Sequence, residues 1–195
     1  MSNPGWQGDE GMSMKASMLQ LYKRLMGAFF MAFILVSTPL MAADSSFFDE
    51  NFGNLKDELA TAKKENKQGV MIFFEMDECP FCHKMKTAVF NQPAVADYFH
   101  KHFRIISVDI NGDVDMVNFK GQNTTQKKFA FEEFRVRATP VTAFFDLDGT
   151  LMTKFTGPTR DAQEFLRLGE FVVSGAYKQP GMNFTLFKQQ GATKP

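Results

Sequence analysis

The chain has 195 residues, and its 22 basic and 22 acidic residues leave a formal net charge of zero. A chain without net charge has no overall attraction for polyanions, so we expect no nucleic-acid partner. Hydrophobic residues make up 44% of the sequence, a share that excludes a disordered polymer. The two cysteines, Cys79 and Cys82, are too few for a disulfide framework or a four-cysteine zinc site, and we expect no cofactor and no metal.

The amino-terminal segment predicts a secretory signal over residues 1–43. Basic residues precede an uncharged apolar run at 25–36, and the small residues Ala42 and Ala43 follow it, which is the order of a cleavable signal. The run is shorter than the roughly 20 residues of a membrane span, so we expect membrane contact only through an uncleaved signal. Residues 1–13 are polar and precede the basic residues, which fits translation from a start codon upstream of the true one. We therefore place the mature protein in the periplasm, where disulfide chemistry is open.

Periodicity predicts alternating helices and strands over residues 44–177. The expected elements up to the middle of the chain are a helix on the face of Phe48, Phe52, Leu55, Leu59 and Ala62 closed by Gly69, a strand at 70–76, helices at 79–91 and 93–102, and a strand at 103–110. Those that follow are an inserted loop at 111–123 with a short strand at 116–119, a helix at 124–136, a hairpin of 141–145 and 151–155, and a helix at 159–177. This order indicates an α/β fold with a mixed sheet. Residues 178–195 contain Pro180 and Gly181, and we expect a loosely held tail.

The motif Cys79-Pro80-Phe81-Cys82-His83 directly follows the first predicted strand. If Cys79 caps the helix that starts there, unpaired amides and the helix dipole stabilise its thiolate, which is the reactive form. Pro80 suits the first helical turn because it lacks an amide hydrogen and presets φ. Cys79 can then attack a disulfide, and Cys82, one turn further in, can resolve the mixed disulfide. We expect Pro80, Phe81 and His83 to tune this pair.

Three features of residues 48–177 resemble the thioredoxin superfamily: VMIFFEM running into CPFC, the segment RATPV, and the hairpin FFDLDGTLMTKFTG. The resemblance implies a thioredoxin fold, an α/β architecture whose central mixed β-sheet is flanked by helices on both faces. It also implies a cis peptide bond before Pro140 and a substrate segment that pairs with the backbone of Thr139. Within the superfamily the chain looks most like the periplasmic SoxW type, through FFEMDECPFCHKM, VDINGD and ATPVTAFFDLDG.

The sequence departs from this family in two places. Relatives carry a buried carboxylate six residues before the first cysteine, as proton acceptor for the second, and here Phe73 stands at that position. Glu75 is the nearest acid and lies on the same side of the strand as Phe73. It either tunes the redox pair as a proton relay or simply ends the strand at the solvent, which is the plainer interpretation. The loop at 111–123 lengthens the chain before Pro140 and is a candidate for selecting partners.

The same five residues, CPFCH, also form the attachment signature of c-type haem, with His83 as an axial ligand. Export to the periplasm fits that chemistry too. The motif follows a buried strand, however, whereas cytochromes of this type are mostly small helical domains. A haem site would also leave the Thr139-Pro140 segment without a role.

The sequence favours an exported thiol-disulfide oxidoreductase that reduces periplasmic protein disulfides, with a membrane thiol carrier as electron donor. Asp77 and Glu78 disfavour a further anion at Cys79, which argues against a strong oxidant. A disulfide oxidase or isomerase of the same fold is the alternative. A non-enzymatic module that holds clients through exposed phenylalanines is a third possibility, although 23 phenylalanines equally fit a packed core.

Overall fold

The computed structural model describes residues 46–192, so the predicted signal at 1–43 lies outside the described residues. The helices are α1 (Leu55–Lys64), α2 (Pro80–Lys84), α3 (Pro93–His102), α4 (Gln126–Lys128), α5 (Ala162–Val173) and α6 (Phe184–Ala192). The strands are β1 (Gly69–Glu75), β2 (Phe103–Asp109), β3 (Asp115–Val117), β4 (Asn123–Thr125), β5 (Val141–Phe145) and β6 (Leu151–Thr156). Three further turns extend the helices: the π-helical turns Met85–Phe90 after α2 and Phe129–Glu133 after α4, and the 3-10 turn Ala176–Lys178 after α5.

Four strands form a mixed sheet in the order β2-β1-β5-β6. Strands β1 and β2 are parallel, whereas β5 is antiparallel to both β1 and β6. Helix α1 and the turn after α4 pack on one face of this sheet, and helices α2, α3 and α5 pack on the other. This arrangement confirms the expected α/β thioredoxin fold.

Strand β1 is apolar along almost its whole length because both of its faces are covered. Its side chains alternate between two hydrophobic clusters, as the pleat of a strand requires. Met71 and Phe73 belong to the cluster that also contains both cysteines, whereas Val70, Ile72 and Phe74 belong to the cluster under α1. Each of these side chains is fully buried and contributes roughly 1.5–3 kcal/mol through burial.

The first helix starts later than the sequence pattern predicted. Asn54 caps α1, because its side-chain oxygen accepts hydrogen bonds from the amides of Lys56 and Asp57. Phe48 packs against the cluster that contains the cysteines, but Leu55 belongs to the opposite cluster, so one helix cannot present both side chains. Phe52 is fully exposed, at 102% of its reference area.

The end of the first helix also differs from the prediction. Helix α1 ends at Lys64, and the chain turns through Asn66, whose φ of 56° is left-handed. Gly69 does not close this helix but opens β1, where a Cβ atom would collide with the carbonyl oxygen of Phe145. Close backbone approach therefore explains this glycine better than a helix end does.

The inserted segment at 111–123 is more ordered than expected. It contains β3, which pairs antiparallel with β4, so the predicted strand at 116–119 is shifted by one to two residues. Met116 is buried, and the Phe119 ring lies 4.7 Å from that of Phe145. The insertion therefore extends the hydrophobic cluster under α1. The predicted helix at 124–136 begins only at Gln126, because the preceding residues belong to β4.

The carboxyl-terminal segment that we expected to be loosely held carries helix α6. Phe184 is only 8% exposed, and its ring lies 5.5 Å from that of Phe155 and 5.9 Å from that of Phe171. The predicted helix at 159–177 is shorter, because α5 ends at Val173 and Gly175 follows in a left-handed conformation. Aromatic packing against α5 and β6 thus holds the segment after the turn.

Candidate active site

Both cysteines lie at the start of α2, immediately after β1. Cys79 is the N-cap residue with extended backbone angles, and its sulfur accepts a hydrogen bond of 3.0 Å from the amide of Cys82. Pro80 occupies the first helical position, as its missing amide hydrogen favours. The sulfur that caps the helix thus faces the positive end of the helix dipole, where a thiolate is stabilised.

The structure shows the two cysteines joined as a disulfide, with Cα atoms 5.2 Å apart. Cys79 is 4% exposed and Cys82 only 1% exposed, so the first cysteine is the more accessible of the two. The sulfur of Cys79 is therefore the easier of the two to reach from the surface. In this order a cysteine pair can exchange with another disulfide through the first sulfur, with the second close enough to resolve a mixed disulfide.

Pro140 lies at the end of the sheet from which β1 leads to the cysteines. Phe74 pairs with Val141, so Pro140 stands next to Glu75, four residues before Cys79. The Thr139–Pro140 peptide bond is cis, as the family resemblance implied. The carbonyl of Pro140 accepts a hydrogen bond of 2.8 Å from the amide of Gly157.

Thr139 has unused hydrogen-bonding capacity. Among the described residues, the main chain at 137–139 has no hydrogen-bond partner in the protein, and the buried Oγ1 of Thr139 has none either. Buried or partly buried backbone groups are normally paired. A free stretch of backbone next to a reactive sulfur can instead pair with an incoming extended segment.

The loop after β6 lies at the same end of the sheet as Pro140, and its residues were not among those predicted for the site. Thr159 is buried, and its hydroxyl lies 3.5 Å from the sulfur of Met85, three residues after Cys82. Gly157 has a φ of 96°, and among the described residues no atom beyond its chain neighbours lies within 4 Å of the position that a Cβ would occupy. A glycine and a threonine directly after the last strand of the hairpin were the available sequence signal.

Glu75 lies at the end of β1 on the side of the sheet that carries the cysteines. Its side chain is only 14% exposed, so it does not simply end the strand in solvent. One carboxylate oxygen accepts a hydrogen bond from the hydroxyl of Ser107, and the other forms an ion pair with Lys86. Lys86 stands four residues after Cys82, so this ion pair links β1 to the helix of the redox motif.

The other predicted tuning residues lie on the surface around Cys79. Phe81, between the two cysteines, is 56% exposed, and His83 is exposed as well. Asp77 and Glu78 are exposed immediately before Cys79. The mouth of the site thus combines an apolar ring with two acidic side chains.

The haem interpretation of CPFCH receives no support from this fold, because the motif follows a strand of a mixed sheet rather than lying in a small helical domain.

Among residues 46–192, no group of three or more His, Cys, Asp or Glu side chains is arranged to hold a metal ion. Within the same range, every helix is too short or too polar to cross a membrane.

Residues 55–172 match the thioredoxin-like domain family. A thioredoxin-fold protein from Helicobacter pylori is similar to the chain with a TM-score of 0.58 at 19% identity, over 76% of this chain and 89% of that chain. A Bacteroides thetaiotaomicron protein described as a candidate disulphide isomerase has a TM-score of 0.50 at 25% identity, over 65% and 91%. A DsbH oxidoreductase has a TM-score of 0.51 at 16% identity, over 72% of this chain and 92% of that chain. No curated protein matches the chain significantly in sequence.

Proposed function

Because the chain belongs to the thioredoxin-like domain family and carries a Cys-x-x-Cys pair, it is a thiol-disulfide oxidoreductase, and we propose that it is an exported reductase of protein disulfides. The observation that carries this proposal is the position of Cys79. Its sulfur caps α2, Cys82 is more deeply buried than Cys79, and the register of β1 and β5 brings the Thr139–Pro140 segment to the sheet end that leads to Cys79.

The proposed reaction transfers two electrons from the reduced pair to a client disulfide. The Cys79 thiolate attacks one client sulfur, the client disulfide breaks, and its second sulfur leaves as a thiolate that takes up a proton. Cys82 then loses its proton and attacks the Cys79 sulfur, which releases the client as a dithiol. The product is the Cys79–Cys82 disulfide that the structure contains.

Client docking is proposed to use the free backbone next to Pro140. An extended client segment pairs with the unpaired main chain of Thr139, which supplies affinity without demanding a fixed client sequence. This pairing holds the client sulfur in line with Cys79. Pro140 keeps competing metal ions away from the cysteines.

The charges next to the motif support the reducing direction. Asp77 and Glu78 are exposed immediately before Cys79, and their negative charge disfavours a thiolate there. A strong oxidant of this fold needs a heavily stabilised thiolate, with a pKa of about 3.5 rather than about 7. A disulfide oxidase or isomerase is therefore the second candidate function.

The proposed location is the periplasm, because residues 1–43 have the pattern of a secretory signal. A reductase in an oxidising compartment needs a supply of electrons, so a membrane thiol carrier is the proposed donor. We also propose that the protein is of the SoxW type, which its sequence resembles, and proteins of that type are periplasmic. Protein disulfides of the periplasm are the proposed substrates.

The two cysteine variants test this function. We expect Cys79→Ser to abolish reduction of a protein disulfide, whereas Cys82→Ser should still attack and should accumulate a trapped mixed disulfide. The measurement is dithiothreitol-driven insulin reduction, together with non-reducing gels of the trapped species. Unchanged activity in either variant would contradict the proposal. Client binding that survives in the double variant Cys79→Ala, Cys82→Ala would instead favour a binding module.

A further inference from the structure

One exposed cation lies on the backbone segment that leads to Pro140. Arg137 is exposed, and its guanidinium carbon lies 5.3 Å from the centroid of the Phe131 ring. Phe131 is itself 51% exposed. An arginine over an aromatic face is held in place while the edge of its guanidinium group stays free to donate hydrogen bonds.

The turn that carries the Phe131 ring is anchored in the hydrophobic core. Phe131 belongs to a π-helical turn whose residues Phe129 and Ala130 are fully buried. After this turn, the amide of Val136 donates a 2.9 Å hydrogen bond to the carbonyl of Ala130. The backbone is therefore held on both sides of Phe131 and up to the residue before Arg137, which limits the positions that the stacked pair can take.

The segments that lead to Pro140 and to the redox pair carry charges of opposite sign. Among the described residues, Arg137 has no ion-pair partner, and neither do Asp77 and Glu78 before Cys79. The register of β1 and β5 brings both segments to the same end of the sheet. The site thus offers a free cation on the segment before Pro140 and two free anions on the segment before Cys79.

We propose that the Arg137–Phe131 pair selects clients, by binding an acidic side chain close to the cysteine that Cys79 attacks. The partner is an extended, disulfide-bearing segment whose carboxylate receives hydrogen bonds from the guanidinium group. A basic side chain elsewhere in the same client segment pairs with Asp77 and Glu78. This inference rests on the proposed reductase function and adds charge selectivity to it.

The experiment measures the reduction of a set of short peptide disulfides by the full protein, recycled with dithiothreitol at low salt. Each peptide carries Glu, Gln or Lys at one of the three positions on either side of its cysteine. We expect Glu to exceed Gln by about fivefold in kcat/KM at one position, with Lys slower than Gln there. We expect the Glu preference to disappear in Arg137→Gln and to reverse in Arg137→Glu. About 0.5 M salt should weaken the preference.

Lys178→Glu provides the matched control, because Lys178 also lies over an aromatic ring, 5.6 Å from that of Tyr177. It follows α5, whose start lies near Met85 and whose 12 residues span about 18 Å. This variant should keep the peptide preference of the unmodified protein. Equal rates for Glu, Gln and Lys peptides, or a preference that persists in Arg137→Gln, would overturn charge selection by Arg137 but not the proposed reductase function. Failure to reduce any peptide would overturn the proposed function as well.

Discussion

Glu75 is the residue at which this chain departs most clearly from its family resemblance. The position of the expected carboxylate holds Phe73, which is fully buried, and the nearest acid has moved two residues along the same face of β1. Glu75 is nevertheless held in place, by Ser107 on the neighbouring strand and by Lys86 on the π-helical turn after the motif. We infer that this carboxylate takes the proton that Cys82 loses during resolution.

We expect Glu75→Gln to slow the release of client from the Cys79 mixed disulfide by about 10²-fold, because a positioned base is lost while the shape is kept. Single-turnover reactions with a peptide disulfide, quenched by acid, measure the intermediate directly. Glu65→Gln is the control, since Glu65 also pairs with a lysine, 3.1 Å from Lys67, but lies before the start of β1. Release at the rate of the unmodified protein in Glu75→Gln would rule out this role.

Some site residues could be predicted from sequence and others could not, and the difference is physical. The positions of Cys79 and Pro80 at a helix start could be predicted, because the first turn of a helix needs a capping side chain and accepts proline. The burial of Glu75 could not be predicted, since its two partners lie on β2 and on the turn after the motif. Thr159 likewise meets Met85 only through tertiary packing.

At the scale of elements, strand β1 could be predicted because its burial is continuous. The helix pattern that linked Phe48 to Leu55 was wrong, because spacing alone does not say on which side of a sheet each residue packs. The order of the tail could not be predicted either. Phe184 and Phe187 gain burial only through tertiary contacts: the Phe171 ring of α5 lies 5.9 Å and 5.2 Å from theirs, and the Phe155 ring of β6 lies 5.5 Å from that of Phe184.

The packing of α6 leads to a prediction about stability. Phe184→Ala should lower the free energy of unfolding by about 3 kcal/mol, the lower end of the range for a buried phenylalanine. Leu186→Ala on the same helix should cost less than about 0.5 kcal/mol, because Leu186 is 41% exposed. Urea unfolding followed by circular dichroism measures both values. Equal effects of the two substitutions would mean that the tail is loosely held after all.

At the scale of the whole molecule, the abundance of phenylalanine is explained by the core. Rings stack through the cluster that contains the cysteines, for example Phe47 on Phe90 at 4.2 Å and Phe99 on Phe165 at 4.3 Å. The Phe90 ring also lies 4.9 Å from that of Phe73 on β1, so this packing fixes the π-helical turn after α2 against the sheet. Among the exposed rings, Phe131 is the one to which we assign a part in client contact.

The first residues of the described chain are integrated into the same body. The amide of Asp49 donates to the carbonyl of Ile105 at 2.8 Å, and the amide of Ile105 donates to the Asp49 carboxylate at 2.7 Å. Arg104 adds ion pairs of 2.9 Å to Asp49 and to the buried Glu58. Burial raises the pKa of Glu58, although Arg104 opposes this shift. The segment after the predicted signal thus belongs to the folded domain.

The most direct test of the central claim is the reduction potential of the Cys79–Cys82 couple in the purified protein. The couple is titrated against dithiothreitol and glutathione buffers, and thiols are counted after acid quenching. If the protein is a reductase, we expect a reduction potential near that of thioredoxin, about −270 mV. A value near −120 mV, that of a strong disulfide donor, would contradict the proposed direction of electron flow.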